Sequence, residues 1–339
     1  MIFIVRFRGG HVNFFLPELE AAASAAGVPF VVRGVIDEGN EDKPAVLYAV
    51  EFPSEEDACL VAERSVSIRY IGLVLFDTDC WEEFPSTIDS MPENPFLDCD
   101  GKTYAISFDC PNSKMPAKEQ QVVYDELEKA RFHAGRADLK NPEVLYMVAK
   151  MRPFVVAKPS CPLSKVWIQK PCMFMRVIAH GGMQHYSSAF DLKQRSYIGT
   201  TSMDAELSAF MASLGLCDEG KLACDPFAGT GSVMIAAAAF GASALGFDLD
   251  RTVMGRVHEN FKQYGLEGQF LGCIRHDLRR PSILLQPMFD AIVTDPPYGL
   301  RVGVGKLKGV SGTSIQRVNP MANGNGYGMT DAAAAAAAA

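Results

Sequence analysis

The last third of the chain alternates short apolar stretches with longer helical patterns, and this alternation limits the fold more than any other feature. The predicted strands are 222–225, 243–248, 269–274 and 290–294, and the predicted helices lie near 203–214, 231–240 and 251–264. Strands that alternate with helices form a parallel, doubly wound sheet. Since ligands of such sheets bind at the carboxyl ends of the strands, we expect the chemistry in the loops that follow these strands.

The first 78 residues predict a smaller α/β unit. Its predicted strands are 2–7, 30–36, 45–52 and 68–76. A helix ended by Gly27 carries an apolar stripe of Leu16, Leu19, Ala23 and Ala26. A second helix begins at a capping box of Ser54 and Asp57 and runs to about Arg64. The resulting order, βαββαβ, is that of a ferredoxin-like unit.

A proline-rich, acidic stretch near residue 80 predicts a boundary, and a second unit follows it up to residue 182. Its predicted elements are a strand at 103–109, a helix at 117–132, a short helix after Asn141-Pro142, strands near 153–157 and 165–169, and a strand at 172–179. Gly181 and Gly182 predict a linker into the last domain, which begins near residue 183.

The net charge of −8 argues against a nucleic-acid partner until it is divided along the chain. Residues 1–128 carry 24 acidic and 9 basic side chains, whereas residues 129–195 carry 3 acidic and 12 basic ones. The basic middle segment is therefore either a solvated face or a surface that contacts phosphates.

Several classes of protein are not indicated. The N-terminal apolar run contains Arg6 and Arg8 and predicts a strand, not a signal peptide, and we predict no membrane segment. The 9 cysteines include no CxxC pair, which favours reduced thiols. The 6 histidines form no ligand cluster, so we predict no metal site.

A glycine-containing loop, CDPFAGTGSV at 224–233, follows the first predicted strand of the last domain. Gly229 and Gly231 let the backbone approach a ligand without a Cβ clash, and the helix that follows presents N–H groups at its start. The loop is neither a dinucleotide-binding GxGxxG pattern nor a P-loop. It predicts a ligand-binding loop, with a tight turn capped by Asp225 as the alternative.

Acidic residues stand at the ends of the next two predicted strands. Asp248, in GFDLD, follows the glycine loop by about twenty residues, where a carboxylate can accept both hydroxyls of a ribose. Asp250 could share that role or cap the next helix. Asp277, in RHDL, could accept a hydrogen bond from an adenine amino group or pair with an arginine at the surface. Acidic groups at successive strand ends suit a nucleoside ligand.

The fourth predicted strand ends in Asp295-Pro296-Pro297-Tyr298, the most specific motif in the chain. Because proline lacks an N–H, the Asp295 side chain and the Pro296 carbonyl can both accept hydrogen bonds from one NH₂ group. Tyr298 offers a flat face for a base. A proline-rich turn without a function is the alternative.

The motifs DPFAGTGS, GFDLD and DPPYG resemble the cofactor and target-amine motifs of class I S-adenosylmethionine-dependent amino-methyltransferases. The segments FDLKQRSYIGTTSMDAELSAFMASLG and ADLKNPEVLYMVAK resemble, more narrowly, the tRNA guanine-N2-methyltransferases that modify position 10. The resemblance implies three α/β domains: a ferredoxin-like domain at 1–78, a THUMP RNA-binding domain at 79–182 and a Rossmann-like class I methyltransferase domain at 183–339.

This resemblance implies methyl transfer from S-adenosylmethionine to the exocyclic N2 of guanine. The implied catalytic residues are Asp295, Pro296, Pro297 and Tyr298. The implied cofactor-binding residues are Thr201, Ser202, Met203, Asp225, Phe227, Ala228, Gly229, Gly231, Asp248 and Asp277. Thr201, Ser202 and Met203 match the segment that contacts the methionine end of the cofactor. A capping box of Thr201 with Asp204 explains the same residues, and both interpretations can hold at once.

The resemblance also implies a tRNA partner and a cytoplasmic location. Lys140, Arg152 and Lys158 are the predicted RNA-binding residues, and we expect affinity for tRNA to fall with salt. Family members pair with a small zinc-binding activator subunit as a heterodimer. The strand in GQFLGCIRHD, the predicted outer edge of the sheet, is where we expect that subunit.

Two other functions remain open. DPPY serves any planar exocyclic amine, so an N6-adenine or N4-cytosine methyltransferase fits the same motif. A non-catalytic RNA-binding protein with a degenerate methyltransferase domain is the second alternative. Residues 299–331 contain eight glycines without a strand period, and eight alanines follow. We therefore expect a methyltransferase domain that is incomplete after the DPPY strand, so that either the natural chain continues or a partner completes the sheet.

Overall fold

The computed structural model of the protein describes most of the chain up to Pro297. The described residues are 1–8, 11–36, 46–96, 101–110, 114–130, 135–151, 170–182, 184–199, 202–278 and 288–297. The strands predicted near 153–157 and 165–169, and the expected loss of strands after the DPPY motif, lie outside these residues.

Twelve strands and eight helices lie within the described residues. The strands are β1 Ile2–Phe7, β2 Val31–Val35, β3 Leu47–Glu51, β4 Ile68–Thr78, β5 Thr103–Asp109, β6 Arg136–Ala137, β7 Val144–Lys150, β8 Cys172–His180, β9 Leu222–Asp225, β10 Ser243–Asp248, β11 Phe270–Arg275 and β12 Ala291–Ile292. The helices are α1 Phe15–Ala26, α2 Glu55–Arg64, α3 Phe84–Ser90, α4 Ala117–Lys129, α5 Gln184–Ala189, α6 Ala205–Leu214, α7 Ser232–Ala239 and α8 Arg251–Gln263.

The first unit is ferredoxin-like, as predicted. Its strands pair antiparallel in the order β2-β3-β1-β4, and α1 and α2 share one apolar core with this sheet. The Ser54 hydroxyl accepts a hydrogen bond from the Asp57 N–H at 3.0 Å and donates one to the Asp57 carboxylate at 2.9 Å. These two bonds start α2 and confirm Ser54 as its N-cap, while the Asp57 carboxylate bonds the Ser54 hydroxyl.

Helix α1 buries a stripe that differs from the predicted one. Leu19 and Ala23 are buried as predicted, but Leu16 is 38% exposed. The prediction was wrong at Leu16 because α1 turns Phe15 and Leu19 toward the sheet. The same rotation buries the Glu18 side chain completely.

The buried Glu18 carboxylate joins the first unit to the last domain. It accepts hydrogen bonds from the Ser65 hydroxyl, just after α2, at 2.6 Å and from the Ser213 hydroxyl in α6 at 3.1 Å. Arg64 forms an ion pair with Asp218 at 3.1 Å across the same junction. Residues 1–296 accordingly form one compact unit.

The N-terminal sheet continues beyond the ferredoxin-like unit. Strand β4 pairs antiparallel with β8, and β7, β5 and β6 follow in that order. The predicted helix after Asn141-Pro142 is wrong, because the chain forms β7 there. An asparagine before a proline is a typical helix start. However, Tyr146 and Val148 are buried, and β7 pairs with both β5 and β8, so long-range pairing overrides the local preference.

The two glycines that follow β8 are packed against the first unit. The Gly182 N–H donates to the Ala62 carbonyl at 2.9 Å. A Cβ atom at Gly181 would lie 2.0 Å from the Ile68 carbonyl oxygen, which leaves space for glycine alone. The division of the chain at residue 182 stays a prediction.

The last domain contains the predicted parallel sheet. Its described strands lie in the order β11-β10-β9-β12, and every neighbouring pair is parallel. Helix α7 is buried on all sides from Ser232 to Ala238, as expected for a helix packed within a doubly wound fold. Because the strands are parallel, their carboxyl ends meet at one edge, where the functional residues were expected. Within the described ranges, none of the helices has both the length and the apolar character to cross a membrane.

Candidate active site

The loop between β9 and α7 passes twice through left-handed backbone. Gly229 has a φ of 51° and Gly231 a φ of 83°. A Cβ atom at Gly231 would lie 2.7 Å from Val257 Cγ1, so a side chain there meets both backbone strain and a steric clash. The Ala228 N–H donates to the Phe247 carbonyl at 2.8 Å, which anchors the loop to β10.

Asp248 lies at the end of β10 and is linked to this loop. Its Oδ2 accepts a hydrogen bond from the Gly229 N–H at 2.9 Å, and its Oδ1 accepts one from the Asp250 N–H at 2.9 Å. Asp277 lies two residues beyond β11, and the N–H of its neighbour His276 donates to the Asp248 carbonyl at 2.9 Å. The structure thus brings Asp248, Asp277 and the glycine loop to one edge.

Asp225, at the end of β9, is buried below this edge, with 3% of its surface exposed. Its Oδ1 accepts hydrogen bonds from the Phe227 N–H at 3.0 Å and from the Thr294 hydroxyl at 2.7 Å. The pKa of the Asp225 carboxyl is raised to about 6, chiefly by burial; the hydrogen bonds from Thr294 and Phe227 oppose the shift, and the charges of Asp248 and Asp295 add to it. The ionised site therefore favours a cation. Thr294, the last residue of the predicted strand 290–294, was not among the predicted site residues, although it directly precedes the DPPY motif.

The fourth strand carries its motif to the same edge. The Val293 N–H donates to a carbonyl of β9 at 2.9 Å, which extends the pairing of β12 with β9. Asp295 and Pro296 come next, and both are exposed. Pro297 is the last described residue, and Tyr298 lies outside the described residues.

The segment before α6 reaches the glycine loop through a pair of hydroxyls. Ser202 Oγ lies 2.7 Å from Thr230 Oγ1 and accepts a hydrogen bond from the Gly199 N–H at 2.9 Å. Met203 is partly buried in the core that contains α6 and α7. The structure thereby brings Ser202 to the glycine loop and Met203 into the neighbouring core, while Thr201 lies outside the described residues.

The start of α6 differs from the predicted capping box. Asp204 is itself the N-cap, and its Oδ1 accepts hydrogen bonds from the Glu206 N–H at 2.8 Å and the Leu207 N–H at 3.3 Å. The prediction that Thr201 caps the helix with Asp204 three residues inside it is therefore wrong. An aspartate is among the best N-caps, so the helix begins directly after it.

Asn260, in α8, contacts the site and was missed by our sequence analysis. Its side chain is fully buried and forms hydrogen bonds with the backbone of Tyr197 and of Thr230. The sequence does carry a signal, because Asn260 lies on the same helix face as the buried Val257 and beside the buried Phe261. An asparagine on a buried helix face must find hydrogen-bond partners there.

Of the predicted RNA-binding residues, Lys140 is exposed in the turn before β7. Its N–H donates to the Asp138 carboxylate at 2.9 Å, which shapes that turn. Arg152 and Lys158 lie outside the described residues. Among the residues that the structure describes, no group of three or more His, Cys, Asp or Glu side chains is arranged to hold a metal ion.

Two family models match the chain in consecutive order. The Tmrp11 THUMP N-terminal domain matches residues 1–170, which is half of the chain. The chain belongs to the Tmrp11 family. The RMKL-like methyltransferase domain matches residues 193–309, which include the glycine loop and the DPPY motif. These matches confirm the family that the motifs resembled and the fold class predicted from them.

Curated relatives of the Tmrp11 family carry the name tRNA (guanine(10)-N(2))-methyltransferase TRMT11. The protein of Dictyostelium discoideum is 29% identical over 323 residues, which cover 90% of this chain and 63% of the relative. That of Pongo abelii is 33% identical over 311 residues, which cover 86% of this chain and 64% of the relative. The chain thus spans somewhat less than two thirds of these relatives. The solved structure of TrmN from Thermus thermophilus is 17% identical with a TM-score of 0.47, covering 88% of this chain and 80% of that one.

Proposed function

We propose that the protein transfers a methyl group from S-adenosylmethionine to N2 of the guanine at position 10 of tRNA. The observation that carries this proposal is the linkage of the strand ends in one site. Asp248 accepts a hydrogen bond from the Gly229 N–H of the glycine loop. Asp225 accepts one from the hydroxyl of Thr294, the residue directly before Asp295. The names of the curated relatives support the choice of tRNA and of guanine N2.

The residues at this edge fit S-adenosylmethionine, which supplies an electrophilic methyl group when it is bound. Its sulfonium is a cation, and Asp225, Asp248 and Asp295 make the site electronegative. Asp248 would hold the ribose, and Asp277 the adenine amino group. Ser202, together with Thr201 and Met203, would hold the amino-acid end beside the glycine loop, at the start of α7.

Asp295 and Pro296 would hold the target amine. The lone pair of guanine N2 is delocalised into the ring, which makes the amine a weak nucleophile. Hydrogen bonds from its two N–H groups to the Asp295 carboxylate and the Pro296 carbonyl would localise the lone pair and direct it. Asp295 would then accept the proton or pass it to water. Stacking on Tyr298 would contribute about 1–3 kcal/mol.

The tRNA would be held mainly by the basic segment 129–195, with Lys140, Arg152 and Lys158 among its contacts. In this proposal residues 1–78 are a ferredoxin-like domain, 79–182 the THUMP domain and 183–339 the methyltransferase domain. The protein would act in the cytoplasm. The cysteines that the structure describes are free, and thiols stay reduced in that compartment.

We further propose a small zinc-binding activator subunit as a partner in a heterodimer, bound along β11. This strand is one of the two outer strands among the four described strands of its sheet, and β12 is the other. Leu271 and Ile274 on it are 54% and 47% exposed, which is apolar surface that a partner would cover.

A methylation assay with defined tRNAs tests the function. The protein, with and without an activator subunit, is incubated with S-adenosylmethionine and tRNA that carries guanine or adenine at position 10. We expect transfer to the guanine tRNA alone, and a loss of roughly 100-fold in kcat for Asp295→Asn. Asp290→Asn is the matched control, because Asp290 lies at the opposite end of the same strand and bonds the Leu222 N–H.

Three other outcomes of these experiments would contradict the proposed function or the proposed role of Asp295. Transfer to an adenine or a cytosine amine would identify an N6-adenine or N4-cytosine methyltransferase. Tight tRNA binding without affinity for S-adenosylmethionine would identify a non-catalytic RNA-binding protein. Full activity of Asp295→Asn would refute the role of the DPPY carboxylate.

A further inference from the structure

The buried amide of Asn260 pairs with the backbone of Tyr197, in the segment before α6, in the way that a neighbouring strand would. Its Oδ1 accepts a hydrogen bond from the Tyr197 N–H at 2.9 Å, and its Nδ2 donates to the Tyr197 carbonyl at 2.8 Å. Asn260 thus satisfies both backbone polar groups of Tyr197, and only an amide carries a donor and an acceptor in this arrangement.

The same amide also reaches the glycine loop. Its second Nδ2 hydrogen bond, at 3.1 Å, goes to the carbonyl of Thr230, the residue between the two left-handed glycines. Asn260 therefore fixes the orientation of a peptide group at the centre of the loop. The side chain is fully buried, so water does not replace these hydrogen bonds if they are lost.

Two further contacts join the segment to the loop on either side of Tyr197. The buried Arg195 donates to the Ser232 hydroxyl at 2.6 Å, and Ser202 pairs with Thr230 at 2.7 Å. Asn260 belongs to neither the segment nor the loop, and its amide forms hydrogen bonds with both. The separation between the segment and the loop thus depends on its amide together with these two direct contacts.

We propose that Asn260 is a positioning residue that holds residues 195–199, and through them Ser202, against the glycine loop, so that segment and loop together form the site for the amino-acid end of S-adenosylmethionine. This inference rests on the proposed function. The nucleoside end depends on a different contact, that of Asp248 with the Gly229 N–H. Loss of the Asn260 amide should therefore weaken binding of the amino-acid end of the cofactor more than binding of its nucleoside end.

Gln263, almost one turn further along α8, provides a matched control. Its Oε1 accepts from the Ser196 N–H at 2.6 Å and its Nε2 donates to the Gln194 carbonyl at 2.7 Å. It therefore binds the same segment through the same kind of amide. It is exposed, and within the described ranges its hydrogen bonds do not extend to the glycine loop.

Calorimetric titration of the protein with two ligands tests the inference. S-adenosylhomocysteine has the amino-acid end, and adenosine lacks it. For Asn260→Asp, which keeps the shape but loses both donors, we expect at least a ten-fold weaker affinity for S-adenosylhomocysteine and a change within two-fold for adenosine. Gln263→Ala should leave both affinities within two-fold of the unmodified protein.

An equal loss for both ligands, or an unchanged affinity for S-adenosylhomocysteine, would overturn the positioning role. If Asn260→Asp does not fold, the ratio of the two affinities in Asn260→Ser decides in the same way. Steady-state kinetics give a second criterion, because a positioning role raises the KM for S-adenosylmethionine and leaves the KM for tRNA unchanged. If the unmodified protein binds neither ligand, the proposed function itself fails, which is a distinct result.

Discussion

Replacement of the buried Asp225 carboxylate by an amide is expected to stabilise the fold and to weaken cofactor binding. The Asp225 side chain is 3% exposed, and its Oδ1 accepts hydrogen bonds from Thr294 and Phe227. In Asp225→Asn the side-chain carbonyl can keep both hydrogen bonds. The substitution therefore removes the charge with little change in shape.

The size of the effect follows from the pKa of Asp225, which burial raises from 3.8 to about 6. A shift of about 2 units corresponds to about 3 kcal/mol. Because the folded pKa lies above the unfolded one, the folded state binds the proton more tightly, and stability falls as the pH rises from about 4 to about 6. Above that window the full cost of the ionised carboxylate is present. An amide avoids this cost but is itself a buried polar group, so we expect a net gain of about 1–3 kcal/mol at pH 7.5.

Urea unfolding without cofactor measures this gain. At pH 5.0 the advantage of Asp225→Asn over the unmodified protein should be smaller by about 1.5 kcal/mol, because Asp225 is then largely protonated. The exposed Asp290→Asn is the control, with an expected change within about 0.5 kcal/mol at both pH values. In binding experiments the Asp225→Asn variant should lose more affinity for S-adenosylmethionine than for S-adenosylhomocysteine, because only the former carries a sulfonium charge. A stability difference independent of pH, or a variant less stable at pH 7.5, would refute the reasoning.

Three further substitutions test other parts of the structure. Glu18→Gln places an NH₂ group among hydroxyl and N–H donors, so it should lower the free energy of unfolding by about 2–4 kcal/mol in urea titrations. Ser213→Ala, which removes one of these donors, should lower it by about 1 kcal/mol. Gly231→Ala should destabilise the protein and weaken cofactor binding, because a Cβ atom there lies 2.7 Å from Val257. Adding Val257→Ala should restore part of the lost stability, and a double variant no more stable than Gly231→Ala would contradict the steric explanation. Lys140→Glu should weaken tRNA binding and lower the slope of log affinity against log salt by about 1 in filter-binding assays, and an unchanged slope would remove Lys140 from the interface.

The sequence by itself determined the helices and strands of the last domain and the residues at their ends. Strand and helix periods are local, so the four strands of the last domain were predictable to within a few residues. Gly229, Gly231 and Asp248 were identifiable because a turn and a strand end require particular residue types. The DPPY motif was identifiable for the same reason, since its chemistry is contained in consecutive residues.

The tertiary structure alone decided the contacts that join distant parts of the chain. Glu18 bonds Ser213 across 195 positions of sequence, and Asn260 bonds Tyr197 across 63. Strand β7 shows the same limit, because its local signals favour a helix and its pairing with β5 and β8 decides otherwise. The physical reason is that a local pattern determines which face a residue presents, whereas the partner of a buried polar group depends on how separate elements pack. The site is therefore predictable where one strand end supplies it. The contacts between elements, such as Asp225 with Thr294 and Asn260 with Tyr197, required the tertiary structure.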